Sequence, residues 1–189
     1  MWTEDRIKDY IKKKLDKKRY DHVINVKDMA IKLAEKYNVD KKKAEIAALC
    51  HDCAKNMSEK ELLNIIKDHN LNLDWISLKN IQITHGLIGS IIMKEEMEIK
   101  DRDILNSVKY HTTGRANMSM LEKIIYLSDV IEISRDFKEV HDIRKLAFEN
   151  IDEALIKSLE CTIKYVLDKG ELLHTNTVIA RNCLINDKM

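Results

Sequence analysis

The sequence predicts an all-α protein, a single helical bundle, and three observations carry that prediction. Its 189 residues include no Pro and only four Gly, so the turn signals that a sheet protein needs every ~8–12 residues are missing. Lys, Glu, Leu and Ile dominate the composition, which favours helices. Apolar residues recur with a helical period along almost the whole chain.

The elements follow in order. Ile7, Ile11 and Leu15 form one stripe of a first helix whose Lys-rich remainder reads as a solvated face. Val23, Val26, Ala30, Leu33 and Ala34 form the stripe of a second, through "YDHVINVKDMAIKLAEKY". Asp40 is placed to N-cap "KKKAEIAALCHDCAK". Ser58, followed three residues later by Glu61, makes a capping box that opens "EKELLNIIKDH". Trp75, in "NLDWISL", is expected to staple a loop onto the core. Thr84 is the expected cap of "HGLIGSIIMKEEM". Asp101 opens "RDILNSVKYH", and "TTGRANMS" breaks the pattern as a loop. Ser119 opens "MLEKIIYLSDVIEIS", and "EVHDIRKLAF" is a shorter helix. Asp152 starts "EALIKSLECTIKYVLDKG", with Gly170 as its C-terminal stop. "NTVIARNCLIND" is the last helix. With no repeat, low-complexity tract or long linker, residues 1–189 read as one domain.

Composition excludes several functions. Gly-rich phosphate loops are absent. The net charge of +1, with 34% of residues charged, gives no global argument for nucleic-acid binding. No stretch approaches the ~18 apolar residues of a membrane span. The N-terminal stretch lacks the apolar run of a signal peptide. Four Cys without a dense framework fit a reducing cytoplasm, the expected compartment.

"CHDCAKN", residues 50–56, admits three readings: a C-x-x-C redox or zinc pair, a metal site built on His51 and Asp52, or a polar helix end with two buried thiols. A thioredoxin-like pair needs a preceding strand, and none is expected. A zinc ribbon needs a second close pair, which Cys161 and Cys183 do not make. Cys50 and Cys53 therefore read as packed flankers.

Of seven His, four fall at telling places. His22 is on the second helix, His51 with Asp52 ends the third, His85 opens "HGLIG", and His111 closes "YH". Asp129 sits mid-helix among Ile125, Leu127 and Val130, where a carboxylate is costly unless paired. Any one of these His alone would more simply satisfy a local hydrogen bond; together with the carboxylates they point to metal. Imidazoles and carboxylates suit Zn, Fe, Mn or Ni. Six donors exceed a structural zinc site and suit two metals sharing a carboxylate, with positions left for water or substrate. His69 and His141 lie in charged surroundings and read as surface residues.

The ordered pattern His22, His51-Asp52, Asp129 resembles the HD-domain phosphohydrolase superfamily, and His85 and His111 match its two-metal branch. "HDCAK", "THGLIGS", "YHTTG", "YLSDVIEISRDF" and "LHTNTVIARN" are similar to the YqeK family of symmetrical bis(5′-nucleosyl)-tetraphosphatases, over nearly the whole chain. That resemblance implies an all-α HD fold, a metal-binding core of roughly residues 18–136, and C-terminal helices over 139–187 that complete the fold and the nucleotide pocket. It also implies a di-iron centre held by His22, His51, Asp52, His85, His111 and Asp129, and hydrolysis of diadenosine tetraphosphate to two ADP. Mn, Co or Zn are alternatives to Fe. Ser128 and Ile133 depart from the family's Ala and Pro at positions that are not ligands.

On this reading Asp52 bridges the metals, and a water is acidified toward a pKa of about 7. Lys55 is expected to share a helix face with Asp52 and anchor phosphate. Arg135 and Arg19 are candidates for the same oxygens. His22, His85, His111 and Asp129 border the substrate as well as the metals. Thr112 and Gly114 form a small polar loop able to admit a nucleotide. Thr175, Thr177 and Arg181 begin the last helix, whose free N–H groups could receive phosphate or ribose oxygens, and the resemblance places nucleotide contacts there. Glu132 suits either a supporting role beside the ligands or a helix-face ion pair; the role of His174 stays open. The expected partner is a nucleotide, with neither membrane nor nucleic acid, and a homodimer is left open. Competing functions are another nucleotide phosphohydrolase, such as a nucleotidase, and a nucleotide-sensing HD module without turnover.

Overall fold

Most helices begin where a short polar side chain can take up the free N–H groups of the first turn. The computed structural model describes residues 2–187, in which there are eleven α-helices and no strand. Helix α1 (Glu4–Lys14) starts behind Thr3, α2 (Lys17–Lys36) behind Asp16, and α3 (Lys41–Cys50) behind Asp40. Helix α4 (Glu59–Asp68) opens with the expected Ser58–Glu61 capping box. Helix α5 (Trp75–Lys79) follows Asp74, and α6 (His85–Glu95) continues from a 3₁₀ turn over Ile81–Thr84. Helix α7 (Arg102–Lys109) follows Asp101, and α8 (Met120–Ile131) opens with a second capping box, Ser119–Glu122. Helices α9 (Val140–Glu149), α10 (Ile151–Asp168) and α11 (Thr175–Asn186) complete the chain.

Four expectations need correction. Thr84 does not cap α6: its hydroxyl donates to the Ile81 carbonyl at 2.6 Å, inside the 3₁₀ turn. Helix α10 starts two residues earlier than expected, because the Asn150 side chain accepts from the N–H groups of Asp152 and Glu153. Trp75 does not staple a loop; it lies on α5 with 62% of its surface exposed. Helix α3 stops at Cys50, and residues 51–56 are turns. Lys55 therefore reaches its place through a turn, its N–H donating to the Asp52 carbonyl at 2.9 Å, and not along a continuing helix.

The core is built around α2, α3 and α8. Helix α2 packs on both of the others, α7 packs on α3, α6 and α8, and α10 packs on α8, α9 and α11. Val23, Val26, Ala30 and Leu33 of α2 are fully buried, as are Ala44, Ala47 and Ala48 of α3. Those alanines let α3 come close to its neighbours. Each fully buried Leu or Ile contributes roughly 1.5–3 kcal/mol, which offsets the cost of gathering polar side chains at one end of the bundle. No helix of the described residues is long and apolar enough to cross a membrane.

Candidate metal centre

Five segments bring their polar residues to one place. His22 comes from the first half of α2, His51 from the C-cap of α3 and Asp52 from the turn after it. His85 is the first residue of α6, His111 follows the end of α7, and Asp129 lies in the last turn of α8. Gly86 permits the approach of α6 to α7: a Cβ there would lie 2.8 Å from the Val108 carbonyl oxygen and 3.2 Å from His111 Nδ1. The rings of His85 and His111 then stand 4.9 Å apart, centroid to centroid, and those of His51 and His111 5.1 Å apart.

Each imidazole is held by its outer nitrogen. Nδ1 of His51, His85 and His111 faces a backbone carbonyl, of Ala48 at 2.6 Å, Gln82 at 2.7 Å and Val108 at 2.7 Å. Nδ1 of His22 faces the Glu132 carboxylate at 3.1 Å. A carbonyl or carboxylate only accepts, so every Nδ1 carries the hydrogen. Every neutral ring therefore presents a bare Nε2 lone pair to the interior.

Apart from one hydroxyl, the groups that meet them are carboxylates and other imidazoles. Asp52 Oδ1 lies 3.2 Å from His85 Nε2 and 3.7 Å from His111 Nε2. Its Oδ2 lies 3.3 Å from His51 Nε2 and 3.9 Å from His22 Nε2. Asp129 Oδ1 lies 3.0 Å from His22 Nε2. His85 and His111 place their Nε2 atoms 3.1 Å apart, with one Thr112 hydroxyl between them. The buried Nε2 atoms of His22 and His51 have no hydrogen-bond partner. Lone pairs facing lone pairs in a buried space are costly, and a cation is what reconciles them. His22, His51 and Asp129, and again His51, Asp52 and His111, bring ligand atoms within 4.8 Å of one another. The donor set of neutral imidazole and carboxylate fits divalent transition metals.

The carboxylates and imidazoles also perturb one another's ionisation. Burial opposes ionisation of Asp52, but His51, His111 and His85 around it hold its carboxyl well below the usual range. Asp129 is likewise held low against its burial, by His22 and His51. Burial opposes an imidazolium at His51, yet the Asp52 and Asp129 charges raise its pKa. At His85 burial wins and the pKa falls.

Around this centre the cations gather. The Arg19 guanidinium donates to Asp52 Oδ2 at 2.8 Å, and Arg135 Nη2 to Asp129 Oδ1 at 2.7 Å. Lys55 lies near enough to His85 to act on it by charge. Arg19 and Arg135 line a hollow of ≈ 470 Å³ with Lys18, His22, Glu132 and Phe137. Lys18 belongs to no pattern in the sequence, and Phe137, although it ends the motif "YLSDVIEISRDF", has no role assigned by it. Glu132 makes both contacts left open for it, to His22 at 3.1 Å and, more distantly, to Arg135 at 3.7 Å. It is fully buried, accepts from the Ser134 N–H and hydroxyl, and orients His22.

The C-terminal candidates stand differently. The N–H groups expected to be free at the start of α11 are taken: Asn176 N–H donates to His174 Nδ1 at 3.2 Å and Thr177 N–H to the His174 carbonyl at 3.1 Å. His174 Nε2 in turn meets Asp74 Oδ2 at 3.2 Å. Thr175 is exposed and Thr177 buried. Arg181 is engaged by Glu160 at 2.6 Å. Gly114 has φ +66° and approaches Ala180, so it is a packing position, one that only Gly adopts freely. Cys50 and Cys53 are free, buried thiols, and burial pushes Cys53 up to about 12.

Comparison with known proteins gives a consistent result. The HD domain family matches residues 19–173. A symmetrical bis(5′-nucleosyl)-tetraphosphatase of Bacillus subtilis (strain 168) is 36% identical, over 93% of this chain and 94% of its own. One from Halalkalibacterium halodurans is 38% identical, over 93% of each. The crystal structure of a protein described as a predicted HD superfamily hydrolase involved in NAD metabolism, from Clostridium acetobutylicum, superposes with a TM-score of 0.96. It is 46% identical and covers 99% of both chains.

Proposed function

The chain belongs to the HD domain family, within the branch of its symmetrical bis(5′-nucleosyl)-tetraphosphatase relatives, and from that premise we propose that it is a metal-dependent hydrolase that cleaves diadenosine tetraphosphate symmetrically to two ADP. The observation that carries the chemistry is the buried cluster of four imidazoles and two carboxylates, with the imidazole Nε2 atoms turned inward.

We assign the metal ligands as His22, His51, Asp52, His85, His111 and Asp129. Asp52 divides the imidazoles, Oδ1 toward His85 and His111 and Oδ2 toward His51 and His22. That division suits two cations sharing one carboxylate. Fe is the metal the family resemblance implies. Cations bound there would acidify a water and draw charge from phosphate oxygens.

The chain's own residues do the rest. Asp52 stays a carboxylate at neutral pH, since its carboxyl is held low. Arg19 and Arg135, now on Asp52 and Asp129, are placed to turn toward phosphate oxygens, with guanidinium geometry suited to them. Lys55 adds a point charge beside His85. Each charge-assisted hydrogen bond is worth about 1.5–3 kcal/mol. The Thr112 hydroxyl, between His85 and His111, can donate to a ligand oxygen there. Helices over 139–187 complete the nucleotide pocket, with the start of α11 at its edge.

The test is product analysis. Metal-loaded protein incubated with diadenosine tetraphosphate is expected to give ADP alone. AMP with ATP, or inorganic phosphate released from mononucleotides with the dinucleotide left intact, would contradict the proposal.

A further inference from the structure

Arg135 and Phe137 each border two hollows. On one side is the pocket shared with Lys18, Arg19 and His22, whose lining also carries Asp16, Glu132 and Asp136. On the other is a groove of ≈ 430 Å³ lined by Val130, Phe137, Glu139, Cys161, Thr162 and Tyr165. Arg135 lines this groove too and donates to Asp129 at 2.7 Å, so the groove adjoins the candidate metal centre. Its size falls in the range of roughly 300–1,000 Å³ typical of small-molecule sites.

The chemistry of the groove differs from that of its neighbour. Phe137 is half-buried against the core, and Tyr165 keeps 61% of its surface exposed on α10. Two aromatic rings with aliphatic and thiol neighbours suit the face of a planar base. The Glu139 carboxylate disfavours phosphate there and tolerates a neutral base. The neighbouring pocket is the more polar of the two, with Lys18, Arg19 and Arg135 available to phosphate beside its three carboxylates.

A dinucleoside tetraphosphate carries a nucleoside at each end of one anionic chain. Cleavage at its middle, beside Asp52, requires two places for nucleosides on different sides of the centre. A third hollow, of ≈ 240 Å³, shares no lining residue with the groove and is bordered by Thr84, Tyr110, Thr113 and His174, from the segments that carry His85 and His111. We propose that the apolar groove holds one of the two purine nucleosides, its base against Phe137 and Tyr165 and its phosphates running past Arg135 to the centre. The groove thereby selects a two-ended substrate over a mononucleotide. This rests on the hydrolase reading above.

The experiment is steady-state kinetics of the metal-loaded enzyme on diadenosine tetraphosphate. Tyr165→Ala and Phe137→Ala are each expected to raise KM about tenfold, as loss of base–aromatic stacking does, with kcat within twofold. Tyr165→Phe, which keeps the ring, is expected to restore the wild-type KM. Tyr165 is exposed, so its truncation leaves the core intact should Phe137→Ala fail to fold. KM within twofold of wild type for Tyr165→Ala overturns the proposal, as does a fall in kcat alone. Wild-type protein that does not cleave the compound at all overturns the hydrolase reading, and the groove's role with it.

Discussion

Each of the four imidazoles at the centre uses its Nδ1 proton outward and leaves Nε2 bare inward. That orientation suits this set of His and Asp residues to holding a cation. Three rings are set by carbonyls within their own local turns; His22 alone relies on a side chain, Glu132. Replacing Glu132 by Gln keeps an oxygen in place and removes the charge that favours the Nδ1–H tautomer. Metal affinity is expected to fall about ten- to hundredfold, measured by competition with a chelator; unchanged affinity would contradict the role. At this scale the sequence pointed to the residues that the fold gathers, because His51-Asp52 and the motifs around His85 and His111 are local. It left Glu132 undecided because its partner is His22, 110 residues away, while a helix-face ion pair was nearly as natural a reading.

The helices place those residues, and close contacts between helix ends set the spacing. Gly86 is the tightest, its missing Cβ facing two carbonyls at the end of α7. Gly86→Ala is expected to push α6 away from α7, costing about 1–3 kcal/mol as a lower unfolding midpoint and loosening His85 from His111. An unchanged midpoint would show that the contact is not needed. Arg144 of α9 closes the other end. Its guanidinium donates to the Ile131 carbonyl at 2.9 Å and the Glu132 carbonyl at 3.0 Å, holding the end of α8 next to Asp129. Capped helices with long apolar stripes were legible in the sequence. Residues 75–84 were not, because a five-residue helix and a 3₁₀ turn offer too few positions for a period to appear. Thr84 looked like a cap, but its hydroxyl bonds back to Ile81, a local competitor that Ser and Thr always carry. The start of α11 looked free, and His174 fills it.

Across the whole molecule, α2, α3, α6, α7 and α8 each send a residue or an adjoining turn to one buried centre, so a cation there joins the bundle together. Metal that binds only the folded chain stabilises it, by about 2.7 kcal/mol at a hundredfold excess over Kd. Added Fe(II) or Mn(II) is therefore expected to raise the unfolding midpoint of wild-type protein and not that of Asp52→Ala; equal shifts in both would place the metal elsewhere. The all-α class and the position of the centre were legible because composition and helical period act along the chain. The hollows on either side of the centre were not, since Lys18, Phe137, Thr162 and Tyr165 come together only through packing. The central claim is that these six side chains hold two cations sharing Asp52. Metal analysis of anaerobically purified protein tests it most directly: about two transition-metal ions per chain are expected, falling sharply in Asp52→Ala, and one or none in the wild type would contradict the account.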